Sequence, residues 1–146
     1  MAKLPSEQFA IVGVIDPDAN ATGALNTDYV NMENWHQAQG IVLAGIIAAS
    51  GTLDGALRQA TSSTGAANKA ITGASITQMT TADNDEQATI DVRADELDQA
   101  GGFNFVALRM TSTTAGADSA GLLLGVNPRY GPAHANDLAS VGEIVT

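Results

Sequence analysis

No cysteine occurs in this chain, so a disulfide framework, a thiolate nucleophile and a cysteine-bound zinc are all excluded, and redox compartment is left open. Positive charge is scarce: six basic residues stand against sixteen acidic ones, a formal net charge of -10. Lys3, Arg58, Lys69, Arg93, Arg109 and Arg129 are scattered singly, so no basic stripe can follow a phosphate backbone and direct nucleic-acid binding is not expected. Aromatic residues make up only 4% of the chain, and charged residues 15%, against the usual quarter. Long hydrophobic runs are missing too. The longest, residues 41–49, is about half of a membrane span and is interrupted by Gly45. The opening MAKLPSEQF lacks the apolar core of a signal peptide, and the chain reads as soluble, off the membrane and not exported. Without a secretory context, the Asn20-Ala21-Thr22 sequon carries no meaning.

What fills the chain instead is Ala, Gly, Thr, Ser, Asn and Asp, with 45% hydrophobic residues overall. A surface built from small neutral side chains suits packing against other protein copies. The acidity keeps the protein soluble and could complement a basic partner, but does not determine a fold. At 146 residues one domain (9–146) is expected behind a short flexible N-terminal arm (1–8).

The apolar pattern has the period of strands. Residues 9–15 (FAIVGVI) form a run that Asp16-Pro17-Asp18 should close as a turn, since proline presets φ and aspartate bonds its own backbone. Residues 29–35 alternate as a half-buried strand would, with a break expected at Gln39-Gly40. Residues 41–48 (IVLAGIIA) and 120–126 (AGLLLGV) are continuous apolar runs, read as strands buried on both faces; a short core helix competes for the first. Leu53, Gly55 and Leu57 share one face of another strand. Ile71 and Ile76 differ in parity, which places a bulge or turn at Gly73. Ile90 and Val92 point inward from residues 88–93, residues 94–99 (ADELDQ) form a helical turn or tight connection, and residues 103–110 carry apolar groups on both faces. Residues 111–119 read as a loop. About eight short strands, with turn signals roughly every 8–12 residues, indicate an all-β fold: an antiparallel β-sandwich or a jelly-roll-like barrel with little helix.

Reactive chemistry is sparse. Asp83, Asp85 and Glu86 crowd one loop, but TADNDEQATID has neither the glycine turn nor the spaced glutamate of an EF-hand. A solvated acidic loop is the expectation there, with no metal and no cofactor. His36 and His134 lie in unrelated segments, and neither has a second ligand at metal-binding spacing. No Gly-x-Ser-x-Gly elbow and no phosphate-cradling glycine loop occurs, so the chain is not expected to be an enzyme.

One cluster stands apart. Asn127-Pro128-Arg129-Tyr130-Gly131-Pro132 sets an Arg–Tyr pair between two prolines. Arginine offers a rigid donor fork and tyrosine a large area at small entropic cost, which suits an interface anchor. The competing reading pairs Arg129 with a carboxylate of its own domain, for example one in ADELD. Trp35, the single tryptophan, is a core residue or an interface anchor, and His36 beside it an interface or packing residue. Trp35, His36, Arg129 and Tyr130 are therefore the candidate interface residues.

The order of elements, from residues 41–48 through LDGALRQATSSTG, KAITGASITQMTTAD and IDVRADELDQAGGFNFVALRMT to GLLLGVNPRYGPA, resembles a family of small virion proteins of tailed bacteriophages. The resemblance covers residues 9–133, most of the chain, and its landmarks are RADELD and the Arg-Tyr-x-Pro ending. It implies a structural role with no catalytic residues: a capsid decoration (cement) protein in the phage head, assembled in the host cytoplasm. Its implied partners are the major capsid protein and further copies of itself in a homo-oligomer on a symmetry axis. The apolar termini and the NPRYGP loop would be the contact surfaces. Two alternatives stand beside this: a head–tail connector or tail component, and a host-facing module that binds carbohydrate through Trp35 and Tyr130.

Overall fold

The computed structural model describes residues 2–146, and it is an antiparallel β-sandwich. The strands are β1 (Phe9–Asn20), β2 (Gly23–Asn26), β3 (Val30–Asn31), β4 (Trp35–Ile47), β5 (Thr52–Ala60), β6 (Lys69–Ser75), β7 (Gln87–Arg93), β8 (Phe105–Thr113) and β9 (Ala117–Pro128). One sheet has the order β1-β9-β4-β7, and the other β2-β8-β5-β6 with β3 also on β8. Because β2 and β3 line the same edge of β8, they count as one interrupted strand. The pairing is then first with last, second with next to last, and so inward to β5 with β6. That is the jelly-roll arrangement. Strand order comes from contacts far apart in the chain, so composition could not have separated it from other sandwiches.

Between the sheets lies one core. Val42, Leu53, Leu57, Val106, Leu108 and Leu123 are fully buried, each on the inward parity of its strand. β4 does not break at Gly40: it pairs there with Ile90 on one side and Leu123 on the other. A β-carbon at Gly40 would sit 3.0 Å from Leu57 Cδ2 and 3.1 Å from Leu108 Cδ1, so the glycine is a packing choice that lets the second sheet close in.

Four other expectations need correction. Asp16-Pro17 does not turn the chain. Ile15 pairs with Gly121 and Asp18 with Ser119, so two residues bulge opposite Ala120 inside a longer β1, an edge strand where proline costs no ladder bond. The 29–35 strand reduces to Val30–Asn31 and then a 3₁₀ turn, Met32–Asn34, because the Asn31 side chain accepts the Glu33 N–H (2.9 Å) and draws the backbone out of extension. The runs at 41–48 and 120–126 are strands, but each is buried on one face only; Ile41, Leu43, Leu122, Leu124 and Val126 are half-buried and Ile46 is exposed, since no third layer covers the first sheet. Residues 111–119 are mostly strand, with β8 and β9 joined tightly through Thr114 at φ 66. At Gly73 the bulge stands as expected: φ is 78, and residues 71–74 pass opposite Leu57 alone.

The RADELD landmark is a built corner between β7 and β8. Arg93 bonds back to Glu96, Leu97 is buried, and the Asp98 N–H donates to the buried Gln59 Oε1 (2.8 Å). Asp98 then clasps Lys69 at the start of β6 (2.5 Å), whose ammonium also lies 3.9 Å from the centre of the Phe103 ring. The Lys69 hydrogen bond, helped by the Gly101 N–H, holds the Asp98 carboxyl below its ordinary value despite some opposing desolvation. These residues hold the two sheets' connection in place.

Candidate functional site

His36, Arg129 and Tyr130 come together at one end of the sandwich, where β4 begins and β7 and β9 end. Arg129 is tied down from two sides: its backbone N–H donates to Asn34 O (2.9 Å) and its Nε to Trp35 O (3.1 Å). No carboxylate among the described residues lies within ion-pair distance of it, so the intradomain pairing with ADELD is not made; Arg93 takes Asp95 and Glu96 instead. Arg129 lines two shallow depressions, one shared with His36 and Asp95 and the other with Glu33 and Tyr130. Tyr130 is 73% exposed and bonds to nothing in its own chain among the described residues, leaving ring and hydroxyl free.

Trp35 does not join them. It is 1% exposed, with its indole against Gly125 inside the sandwich, so of the two expected roles it takes the core one and is removed from the candidate interface residues. A single tryptophan in a chain so poor in aromatics fills a large gap in the core, and that demand outweighs surface use.

Between the termini and the NPRYGP loop, both expected as contact surfaces, lies a strip that the sequence does not single out. The outer face of the first sheet carries a strip in which Phe9 pairs with Val126 and Ile11 with Leu124, and Gln37 and Gln39 border it on β4. Phe9, Leu124, Val126, Gln37 and Gln39 line a depression of about 710 Å³ that also touches Arg93 and Glu96. Phe9 continues the strip into a second, more apolar groove between the chain termini, lined by Leu4, Ile11, Val141, Ile144 and Val145. Leu4 is 47% and Val145 84% exposed. The helical turn α1 (Pro5–Gln8) and the final segment meet there: Ser6 O lies 3.2 Å from His134 Nδ1, and the tail bonds to Ile11 through Asp137 and Leu138. One band thus runs from the termini across the sheet to Arg129 and Tyr130. The signal for it was the apolar residue at every second position of AGLLLGV, Leu122, Leu124 and Val126, which a buried strand and a partner-binding strand share.

Among the described residues, no three His, Asp or Glu side chains stand together as a metal site requires, and no helix is long and apolar enough to cross a membrane. Of the acidic residues at 83–86, Asp83 caps a short turn by accepting the Thr80 N–H, while Asp85 and Glu86 are exposed to solvent.

No family model matches the chain, and no curated protein does. Solved structures are similar to it at low identity. A chain from the Bacillus endospore appendages, described as disulfide-linked pili, is 13% identical with a TM-score of 0.42, over 87% of this chain and 97% of that one. A chain of Broad Bean Stain Virus is 11% identical, TM-score 0.38, over 87% and 89%. The xylan-binding CBM22-1 domain from Paenibacillus barcinonensis Xyn10C is 17% identical, TM-score 0.35, over 83% and 85%. At these values the likenesses assign neither a family nor a function.

Proposed function

We propose that this chain is a structural virion subunit, a decoration protein that binds the outer surface of major capsid subunits and stabilises the phage head. The band from the termini to Tyr130 carries this reading. Its apolar part is exposed in a chain whose sandwich core is otherwise filled, and its far end offers an unpaired tyrosine and a half-used guanidinium, the residue types that anchor interfaces. Function of this kind is additive burial: each copy covers a seam, and many weak sites act together against internal pressure. The resemblance to small phage virion proteins supplies the partner. It also leaves the connector or tail position as the second reading, whereas the carbohydrate reading loses its aromatic pair, because Trp35 is inside the core.

Copy number in purified particles separates the positions. Hundreds of copies fit decoration, while about six or twelve fit a ring at the head–tail junction. Binding to expanded capsids tests the surface itself. A variant with Leu4, Phe9, Ile144 and Val145 all changed to Ser should fold and fail to saturate capsids. Saturation at wild-type affinity would remove the reading.

A further inference from the structure

A two-sheet sandwich has four lateral edges, and three of these are blunted. β1 is bulged twice and contains Pro17, and its Ile11 N–H and C=O are taken by Asp137 Oδ1 and the Leu138 N–H, each at 2.9 Å. β6 is bulged at Gly73 and begins with Lys69. The edge opposite β8 is split into four- and two-residue pieces. These are the devices by which sheets avoid pairing edge to edge.

β7 has none of them. Its seven residues pair with β4 in unbroken register, from Gln87↔Leu43 to Arg93↔Gln37, without proline, glycine or lysine. Its two charges are held by its own domain: Asp91 accepts the Gln39 amide (2.8 Å), and Arg93 reaches Asp95 and Glu96. Among the described residues, no backbone group from 88 to 92 bonds to anything beyond the β4 ladder. Backbone groups alternate between the two sides of a strand, so about half of these face outward without a protein partner.

We infer that β7 pairs antiparallel with β7 of a second copy about a two-fold axis, fusing two four-stranded sheets into one. The strand is complementary to itself. With Ile90 on the axis, Thr89 faces Asp91 of the second copy and Gln87 faces Arg93 on the outer side, while Ala88 faces Val92 on the inner side. No like charges oppose. Moving the axis to Asp91 would set two carboxylates against each other, which disfavours that register. An isologous seam of this kind closes on itself and leaves no further edge to propagate.

A seam one strand long is small beside a standard interface of about 1,200–2,000 Å², so the free dimer is weak. The net charge of -10 on each copy opposes it further, and added salt should tighten it. Sedimentation equilibrium on the intact protein at up to about 1 mM, in low and high salt, measures the association. Thr89→Asp places a carboxylate opposite Asp91 twice and should weaken the dimer about five- to tenfold, whereas Thr89→Lys should strengthen it by a similar factor. The same changes at exposed Thr22, beside the opposite edges, control for net charge. Folding of each variant is checked by its thermal transition. Amide exchange gives a second readout, with residues 88–92 gaining protection as concentration rises. A wild-type protein that stays monomeric throughout, or position-89 variants that merely track those at position 22, would overturn the inference. So would protection of β7 only on capsids, which would give the edge to a capsid strand. The inference rests on the sheet edge and is independent of the capsid reading: a monomer that saturates capsids defeats only the former, and a dimer that ignores them only the latter.

Discussion

The indole of Trp35 occupies the space that a side chain at residue 125 would need: a β-carbon on Gly125 would fall 2.3 Å from Trp35 Cε2. Gly125 pairs with Ala38 in the centre of the first sheet, so backbone cannot easily move aside. Gly125→Ala should therefore cost about 1–3 kcal/mol by overpacking, read from urea unfolding with tryptophan fluorescence. Trp35→Ala should cost about 3–5 kcal/mol. Equal stability of Gly125→Ala and wild type would mean the indole does not sit there.

Thr27 joins β2 and β3 to β8 through its side chain. Its backbone N–H donates to Leu108 O (2.9 Å), and its hydroxyl accepts the Leu108 N–H (3.0 Å) at a site only 4% exposed. Thr27→Val keeps the shape and orphans that buried N–H, so a loss of about 1–3 kcal/mol is expected. Thr27→Ser keeps the hydroxyl and should lose less. The order of the two melting temperatures is the check.

Asp98 makes stability depend on acid. Its carboxyl is held below the ordinary 3.8, chiefly by the Lys69 hydrogen bond, so the folded state favours the ionised form more than the unfolded state does. The resulting contribution is present above the unfolded value and is lost as pH falls through the folded one. Asp98→Asn should accordingly be less stable than wild type at neutral pH, and the gap should close below about pH 3.8. Both side chains are roughly two-fifths exposed, so the effect is small and weakens with salt. Denaturant titrations at a series of pH values would reveal a gap that persists in acid, if the clasp is not the cause.

Arg129 and Tyr130 should separate when mutated singly. Arg129→Ala removes the bond to Trp35 O and should cost about 0.5–1.5 kcal/mol. Tyr130→Ala, at a freely exposed ring, should stay within about 0.5 kcal/mol of wild type while weakening capsid binding. Calorimetry and capsid co-sedimentation together test the pair. Wild-type capsid affinity in the double variant would show that the NPRYGP loop is not a contact.

Legibility followed the range of the interaction. Ile90 and Val92 were placed inward by alternation alone, and the bulge at Gly73 by the parity of Ile71 and Ile76, because period two is written into neighbouring residues. Asp16-Pro17 misled for the same reason: a local turn signal cannot report that Gly121 and Ser119 wait across the sheet to absorb a bulge. Of the candidate surface residues, His36, Arg129 and Tyr130 lie together at one end, while Trp35 takes the core alternative, since a lone tryptophan has the same sequence signature in a core as on a surface.

By itself the sequence determined that the chain is built of strands, that cysteine chemistry is absent, and where the main apolar segments run. Those properties depend on residue type and on spacing over a few positions. Tertiary contacts settled the jelly-roll order, the strip of Phe9, Leu124 and Val126 that links the termini to the NPRYGP end, and the one unblunted edge at β7. Each arises from residues far apart in the chain, whose meeting depends on which strands pair and on which of the two sheet faces is left without a covering layer.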